Sequence, residues 1–325
     1  MVPDSCVLIL PPTFAPAFNY KMFGKIVRFV FFGNYFIGVL AIALSLETVI
    51  QLHLPFNSVE YYALLFFGVI MYYTYAYSGV LLSFSSDSPR TAWYQQHQTF
   101  VKRSQWIFLL ACLGLGALLL FRNTGNLLHL PFIYWLIIAA TGLAGILYYG
   151  LLPRSLINLN LRNTGWLKAF VIGFEWAACV SLLPMVVLQL ERGHYPYDPV
   201  IVTWLFMKNW MFCTVNAIMF DMKDYEDDSN RQLKTFVVRF GLRNTILFVL
   251  TPLCLIGIFF TIIFARYRHF MALPVLFNLL PFVLLLVVTY TMQRQKSIFF
   301  YLIVIDGLVF LKAICGIIGM AFVIN

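Results

Sequence analysis

The densest group of ionisable side chains in this 325-residue chain runs from Asp221 to Asp228, where five of the thirteen acidic residues occupy eight positions. Asp221, Asp224 and Asp228 are spaced i, i+3, i+7, which on a helix places three carboxylates on one face. Carboxylates crowded in this way repel one another, so the face needs a counter-charge. Mg²⁺, which prefers oxygen ligands, is a natural candidate.

Basic residues follow the acidic cluster at Arg231, Lys234 and Arg239. Mg²⁺ in proteins typically takes one or two carboxylates together with phosphate oxygens, and basic side chains bind phosphate directly. The combination therefore indicates a metal-diphosphate site at a membrane surface. The alternative is a solvated charged loop without a ligand.

The elements that must position this cluster are membrane helices. The chain is 62% hydrophobic and 11% charged, with a mean hydropathy of +0.85, whereas soluble domains carry about 25% charged residues. Its net charge of +9 does not indicate nucleic-acid binding, because the basic residues collect in loops on one side of the membrane. The six cysteines lack metal-site spacing. The short apolar run at 6–10 has no basic segment before it, so no cleaved signal peptide is expected.

We predict an all-α integral membrane protein with nine transmembrane helices in a bundle around a central cavity. An N-terminal juxtamembrane arm, 1–28, precedes a membrane domain, 29–325. With the N-terminus in the cytoplasm, 16 of the 22 Lys and Arg residues lie in cytoplasmic segments and 4 in the opposite loops. This asymmetry sets the orientation and places the acidic cluster on the cytoplasmic side. The predicted spans are 29–50, 59–84, 104–121, 127–149, 167–190, 199–220, 244–265, 270–291 and 297–324.

We single out four ionisable residues inside the predicted spans: Glu175, Lys208, Asp306 and Lys312. Such residues face the interior of a bundle by default. One interpretation is that the two acids pair with the two bases between helices. The other is that they line a substrate cavity, in which case Glu175 is the best candidate for a general base.

The acidic cluster and the segment after it also carry a resemblance. Asp221-x-x-Asp224-x-x-x-Asp228, followed by Lys234-Thr235 and a tail ending at Gly241, resembles the second aspartate-rich motif of the UbiA-type prenyltransferase superfamily. Nine spans with both motif loops on the cytoplasmic side also agree with that family.

The family's first motif, NxxxDxxxD, is degenerate in this chain. The nearest placement puts Gly79, Ser83 and Asp87 at its three positions, and only the last is acidic. Asp87 then remains as a metal ligand in a modified site. Alternatively, it caps a helix that begins near Pro89, and the two roles are compatible.

The resemblance implies a Mg²⁺-dependent membrane prenyltransferase that moves an isoprenyl group from a prenyl diphosphate to a lipophilic, preferably aromatic, acceptor. It implies a multi-pass protein of the bacterial inner membrane, with membrane lipid around it and no nucleic-acid partner. Asp221, Asp224, Asp228 and Asp87 would hold the metal, while Arg90, Arg154 and Lys234 would neutralise the diphosphate.

Two other functions stay open at this point. The loss of most of the first motif would suit a non-catalytic isoprenoid-lipid binding or carrier protein with the same fold. A transporter would use the charges within the spans as a relay, but the sequence has no evident inverted repeats or paired broken helices.

Overall fold

The computed structural model describes residues 20–77, 88–151, 160–230 and 232–321, and this part of the chain contains helices and no β-strand. A 3₁₀ turn covers Leu161–Asn163, and π-helical turns cover Ala178–Leu182, Ile246–Leu250 and Phe300–Ile305. The α-helices are α1 (Tyr20–Phe32), α2 (Tyr35–Gln51), α3 (Val59–Tyr75), α4 (Pro89–Gln96), α5 (Gln98–Arg122), α6 (Thr124–Leu128), α7 (Phe132–Tyr149), α8 (Leu167–Ala177), α9 (Leu183–Arg192), α10 (Pro199–Lys223), α11 (Tyr225–Asn230), α12 (Phe236–Thr245), α13 (Thr251–Tyr267), α14 (Ala272–Thr291) and α15 (Asp306–Ala321).

Several of these helices are long and apolar enough to cross a membrane, so the chain is an all-helical, multi-pass membrane protein. Gly24–Phe32 and Tyr35–Gln51, bent by 61° at their junction, are long and apolar enough only as a pair, which is either a broken span or a re-entrant loop. The predicted count of nine is not reached in the described residues: α3 has 17 residues, and α10 carries charged side chains. The six unbent spans are Gln98–Arg122, Phe132–Tyr149, Leu167–Arg192, Phe236–Tyr267, Ala272–Thr291 and Phe300–Met320.

The bend between α1 and α2 lies at Asn34, which has a left-handed backbone with φ of 65°. The Asn34 amide donates hydrogen bonds to the Thr74 hydroxyl at 3.0 Å and to the Tyr94 hydroxyl at 3.2 Å. Tyr94 in turn donates to the Phe32 carbonyl at 2.8 Å. Side chains of α3 and α4 therefore satisfy the polar groups that the bend exposes, as buried backbone groups require. The predicted boundary between residues 28 and 29 falls inside α1.

Close contact between α8 and α10 places two distant parts of the chain side by side. A Cβ atom on Gly173 would overlap the Thr214 hydroxyl and would lie 2.8 Å from the Trp210 carbonyl oxygen. Only glycine permits this approach. The contact brings the start of α8 next to the end of α10, where the acidic cluster begins.

Candidate active site

The three spaced aspartates lie at the junction between α10 and α11. Asp221 is in the last turn of α10, Asp224 is its C-cap, and Asp228 lies in α11. The Asp228 N–H donates to the Asp224 carbonyl at 2.8 Å, so helical spacing continues through the junction. All three side chains line one cavity, as a shared helical face predicts.

The counter-charge next to this face is a lysine of α8. The Lys168 ammonium lies 3.0 Å from Asp221 Oδ1 and 2.8 Å from Asp228 Oδ2. All three residues are buried. Asp224 is half-exposed and pairs with the neighbouring Lys223 at 2.7 Å. Each carboxylate of the motif therefore contacts an ammonium group, while Asp221 Oδ2 is buried and has no hydrogen-bond partner among the described residues.

The cavity has a volume of about 540 Å³. Its charged lining combines the three aspartates, Glu226 and Asp306 with Lys168, Lys223 and two arginines, and its apolar lining includes side chains of α2, α3, α8 and α15. A ligand that joins a charged head to an apolar chain would match both parts. The apolar and aromatic lining residues include Ile37, Leu40, Tyr73, Ile172, Trp176 and Val309.

Arg90, predicted to bind diphosphate, lines this cavity from the first turn of α4. It donates to the Phe32 carbonyl at 3.2 Å and to the Asn34 side chain, and it lies 4.4 Å from the centre of the Tyr77 ring. Burial lowers the pKa of Arg90, but Tyr77, Tyr94 and Asp306 outweigh it, so the net shift is upward. The guanidinium therefore stays charged, and it links the α1–α2 bend to the cavity.

Comparison with known proteins adds one decisive observation. The model of the UbiA prenyltransferase family matches residues 85–305, which is most of the chain. This chain belongs to the UbiA prenyltransferase family. No curated protein and no solved structure matches it. UbiA family members are membrane prenyltransferases that generally use a divalent metal to bind prenyl diphosphate, and the match includes the acidic cluster and Asp87.

Three other predicted site residues of this UbiA family chain differ in their placement. Asp87 and Arg154 lie outside the described residues. Lys234 is exposed and is not among the residues that line the cavity. The described N-cap of α4 is Ser88, whose hydroxyl accepts from the Arg90 N–H at 3.3 Å, and the cap role of Asp87 falls on a residue outside the described ranges.

Besides Lys223, Arg162 and Lys168 are cavity cations that the sequence analysis did not single out. The Arg162 guanidinium lies 5.8 Å from the centre of the Tyr149 ring, and its Nη1 is buried without a hydrogen-bond partner in the described part of the chain. Both residues follow Arg154 in one basic segment. That segment was the only available signal, and it does not say which of its cations face inward.

The two predicted membrane acids, Glu175 and Asp306, have different surroundings. Glu175 lies near Gly145, with Oε2 3.7 Å from the position of a Cβ there, and it is not among the cavity-lining residues. Asp306, the first residue of α15, lines the cavity and is 5% exposed. Its Oδ2 has no hydrogen-bond partner among the described residues. Asp306 is therefore the membrane acid that a cavity ligand can reach.

The donor atoms suit a divalent ion that arrives with its substrate. No group of three or more acidic, histidine or cysteine side chains in the described ranges surrounds a common point. However, Mg²⁺ needs only one or two carboxylates when phosphate oxygens and water complete its shell. Asp221 Oδ2 and the half-exposed Asp224 carboxylate are such donors, and both residues line the cavity.

Proposed function

We propose that this protein transfers an isoprenyl group from a prenyl diphosphate to a lipophilic acceptor, with an aromatic acceptor favoured, in a Mg²⁺-dependent reaction. The observation that carries the proposal is the single cavity in which the motif carboxylates, two arginines and an apolar wall meet. In such a cavity the charged residues would bind the diphosphate, and the apolar wall would contact its hydrocarbon chain. The family supports the general activity.

The charged lining would stabilise the leaving diphosphate. As the allylic C–O bond breaks, its electron pair stays on a diphosphate oxygen, and Arg90, Arg162 and Lys223 supply fixed positive charge there. Magnesium held by Asp221 and Asp224, and on the motif placement by Asp228 and Asp87, would neutralise phosphate charge. Arg154 and Lys234 remain further proposed diphosphate contacts.

The carbocation would form beside the aromatic lining of the cavity. Tyr73 and Trp176 lie there, with the Trp176 indole N–H donating to the Tyr73 hydroxyl at 2.6 Å. Ring faces stabilise nearby positive charge. The allylic carbon then bonds to the acceptor, and the acceptor's proton passes to a base.

We assign that base to Asp306 in preference to Glu175, because Asp306 lines the cavity. Asp306→Asn is expected to lower the rate of prenyl transfer by about 100-fold, within the usual range for general acid–base catalysis. The measurement is product formation from a labelled donor and a saturating acceptor. Glu175→Gln is the matched comparison, since it also neutralises a membrane acid. A larger loss for Glu175→Gln would restore the original assignment of Glu175.

The reaction itself is tested by incubating the purified full chain in lipid nanodiscs with labelled prenyl diphosphates of several lengths, with and without Mg²⁺. Lipid extracts should contain a prenylated acceptor, and diphosphate should appear in equal amount only when Mg²⁺ is present. Binding of prenyl diphosphate without turnover at any length would contradict the proposal. It would favour the carrier function that the degenerate positions Gly79 and Ser83 suggest.

The cavity would open to the cytoplasm if the N-terminus is cytoplasmic, as the charge asymmetry of the loops predicts. We propose this orientation, with the protein in the bacterial inner membrane. A diphosphate donor, which is too polar to cross a bilayer, would then enter from the cytoplasm while the lipophilic acceptor enters from lipid.

A further inference from the structure

Lys168 occupies a position in which its ammonium group bridges two carboxylates of the acidic motif. Its Nζ lies 3.0 Å from Asp221 Oδ1 and 2.8 Å from Asp228 Oδ2. The i, i+7 spacing places these two carboxylates two turns apart on one face, and the lysine comes from another helix, α8. A cation between two acidic ligands is the arrangement that a metal ion would otherwise provide.

The position of Lys168 is fixed by packing at both sides. Its backbone N–H donates to the Gly165 carbonyl at 3.3 Å. Gly165 has φ of 69°, and a Cβ there would lie 2.5 Å from the Lys234 carbonyl oxygen. The start of α8 is therefore docked on the segment that follows the acidic motif, while Gly173 holds α8 against α10. The packing of α8 therefore holds Lys168 at the acidic motif.

Charge also favours a resident cation at this point. The buried carboxylates of Asp221 and Asp228 would repel each other without one. The chain carries Gly79 and Ser83 where the family's first motif has two polar or acidic ligands. Fewer carboxylates leave less negative charge to hold divalent ions, and a lysine ammonium is a compact charge that can take one of their places.

We propose that the Lys168 ammonium is a built-in cation of the diphosphate site, which replaces one of the metal ions that the acidic motif would otherwise hold. The inference rests on the proposed function for its diphosphate ligand. It implies that the free protein binds divalent metal weakly at Asp221 and Asp228. It also implies that metal is recruited chiefly through Asp224 and the diphosphate itself.

The test measures Mn²⁺ binding to the purified full chain by electron paramagnetic resonance, without any prenyl substrate. Lys168→Met should bind Mn²⁺ at least tenfold more tightly than the wild type, because the two carboxylates lose their ammonium partner. Lys168→Arg keeps the charge and should stay as weak as the wild type. Adding Asp221→Asn to Lys168→Met should remove the gain.

Equal Mn²⁺ affinity in wild type and folded Lys168→Met would overturn the inference, as would an equal gain in Lys168→Arg. Size-exclusion chromatography and the unfolding midpoint establish folding. If Lys168→Met does not fold, the Mn²⁺ affinity of Lys168→Gln is compared with that of the wild type instead, and the same outcomes apply. In the presence of inorganic pyrophosphate, the wild type should bind one Mn²⁺ per chain. Binding of two Mn²⁺ ions per chain would contradict the inference. These readings involve no prenyl transfer, so a missing transferase activity would contradict the proposed function while leaving this result intact.

Discussion

Asp224→Ala is expected to reduce Mg²⁺-dependent release of diphosphate by at least about 100-fold, the scale of losing one electrostatic contact to a transition state. Asp224 is the motif carboxylate with a half-exposed side chain, and its ion pair is with the adjacent Lys223. Its removal takes an oxygen donor from the cavity and leaves Lys168 with both of its buried partners. The measurement is diphosphate release as a function of Mg²⁺ concentration.

Glu60→Gln provides the matched control for this variant. Glu60 also forms an ion pair, with Arg122 at 2.5 Å, but it does not line the cavity. Its variant should release diphosphate at the wild-type rate. Activity of Asp224→Ala at that same rate would remove the mechanism, because no motif carboxylate would then be needed at the half-exposed position.

The part of the site that could be predicted from the sequence is the part built by local geometry. The spacing of Asp221, Asp224 and Asp228 is a property of one nearly continuous helix, so their common face follows from residue numbers alone. The helical class and membrane location follow from composition in the same way. The family was also recognisable from this motif, and the match over residues 85–305 confirms it.

Contacts between distant segments could not be predicted in this way. Lys168 lies 60 residues before Asp228, and nothing in its local sequence marks it as the cation that pairs with the acidic motif. The close packing at Gly173 decides the matter, and it depends on the relative positions of α8 and α10. The periodicity of a sequence predicts which residues share a helix face, but it does not predict which other helix packs against that face.

The charges inside the spans show the same limit. The predicted pairing of Glu175 and Asp306 with Lys208 and Lys312 is wrong for both bases. Each lysine instead contacts Glu47, at 3.2 and 2.5 Å. Glu47 lies near the end of an otherwise apolar run, and the sequence analysis counted it as part of that run. Which side chains pair between two helices depends on the depth of each residue in the membrane and on the rotation of each helix about its axis. A count of acidic and basic residues gives neither quantity.

A further large effect is expected from Glu47→Gln, which should destabilise the fold by about 3–5 kcal/mol, the scale for breaking a buried ion pair by removing one partner. Glu47 is 1% exposed and forms ion pairs with the ammonium groups of both Lys208 and Lys312. These residues belong to α2, α10 and α15, so the cluster ties three helices together. The measurement is the unfolding midpoint in detergent.

Lys312→Met separates loss of charge balance from loss of contacts. The cluster contains one carboxylate and two ammonium groups, so removing Lys312 leaves the Glu47–Lys208 pair in balance. Asn278 Oδ1 also accepts from Lys208 at 2.8 Å and holds that lysine in place. Lys312→Met should therefore be much less destabilising than Glu47→Gln, and the double variant should unfold at a higher temperature than Glu47→Gln alone. If Glu47→Gln unfolds at the wild-type midpoint, or the double variant is the least stable, uncompensated charge is not what makes Glu47 necessary.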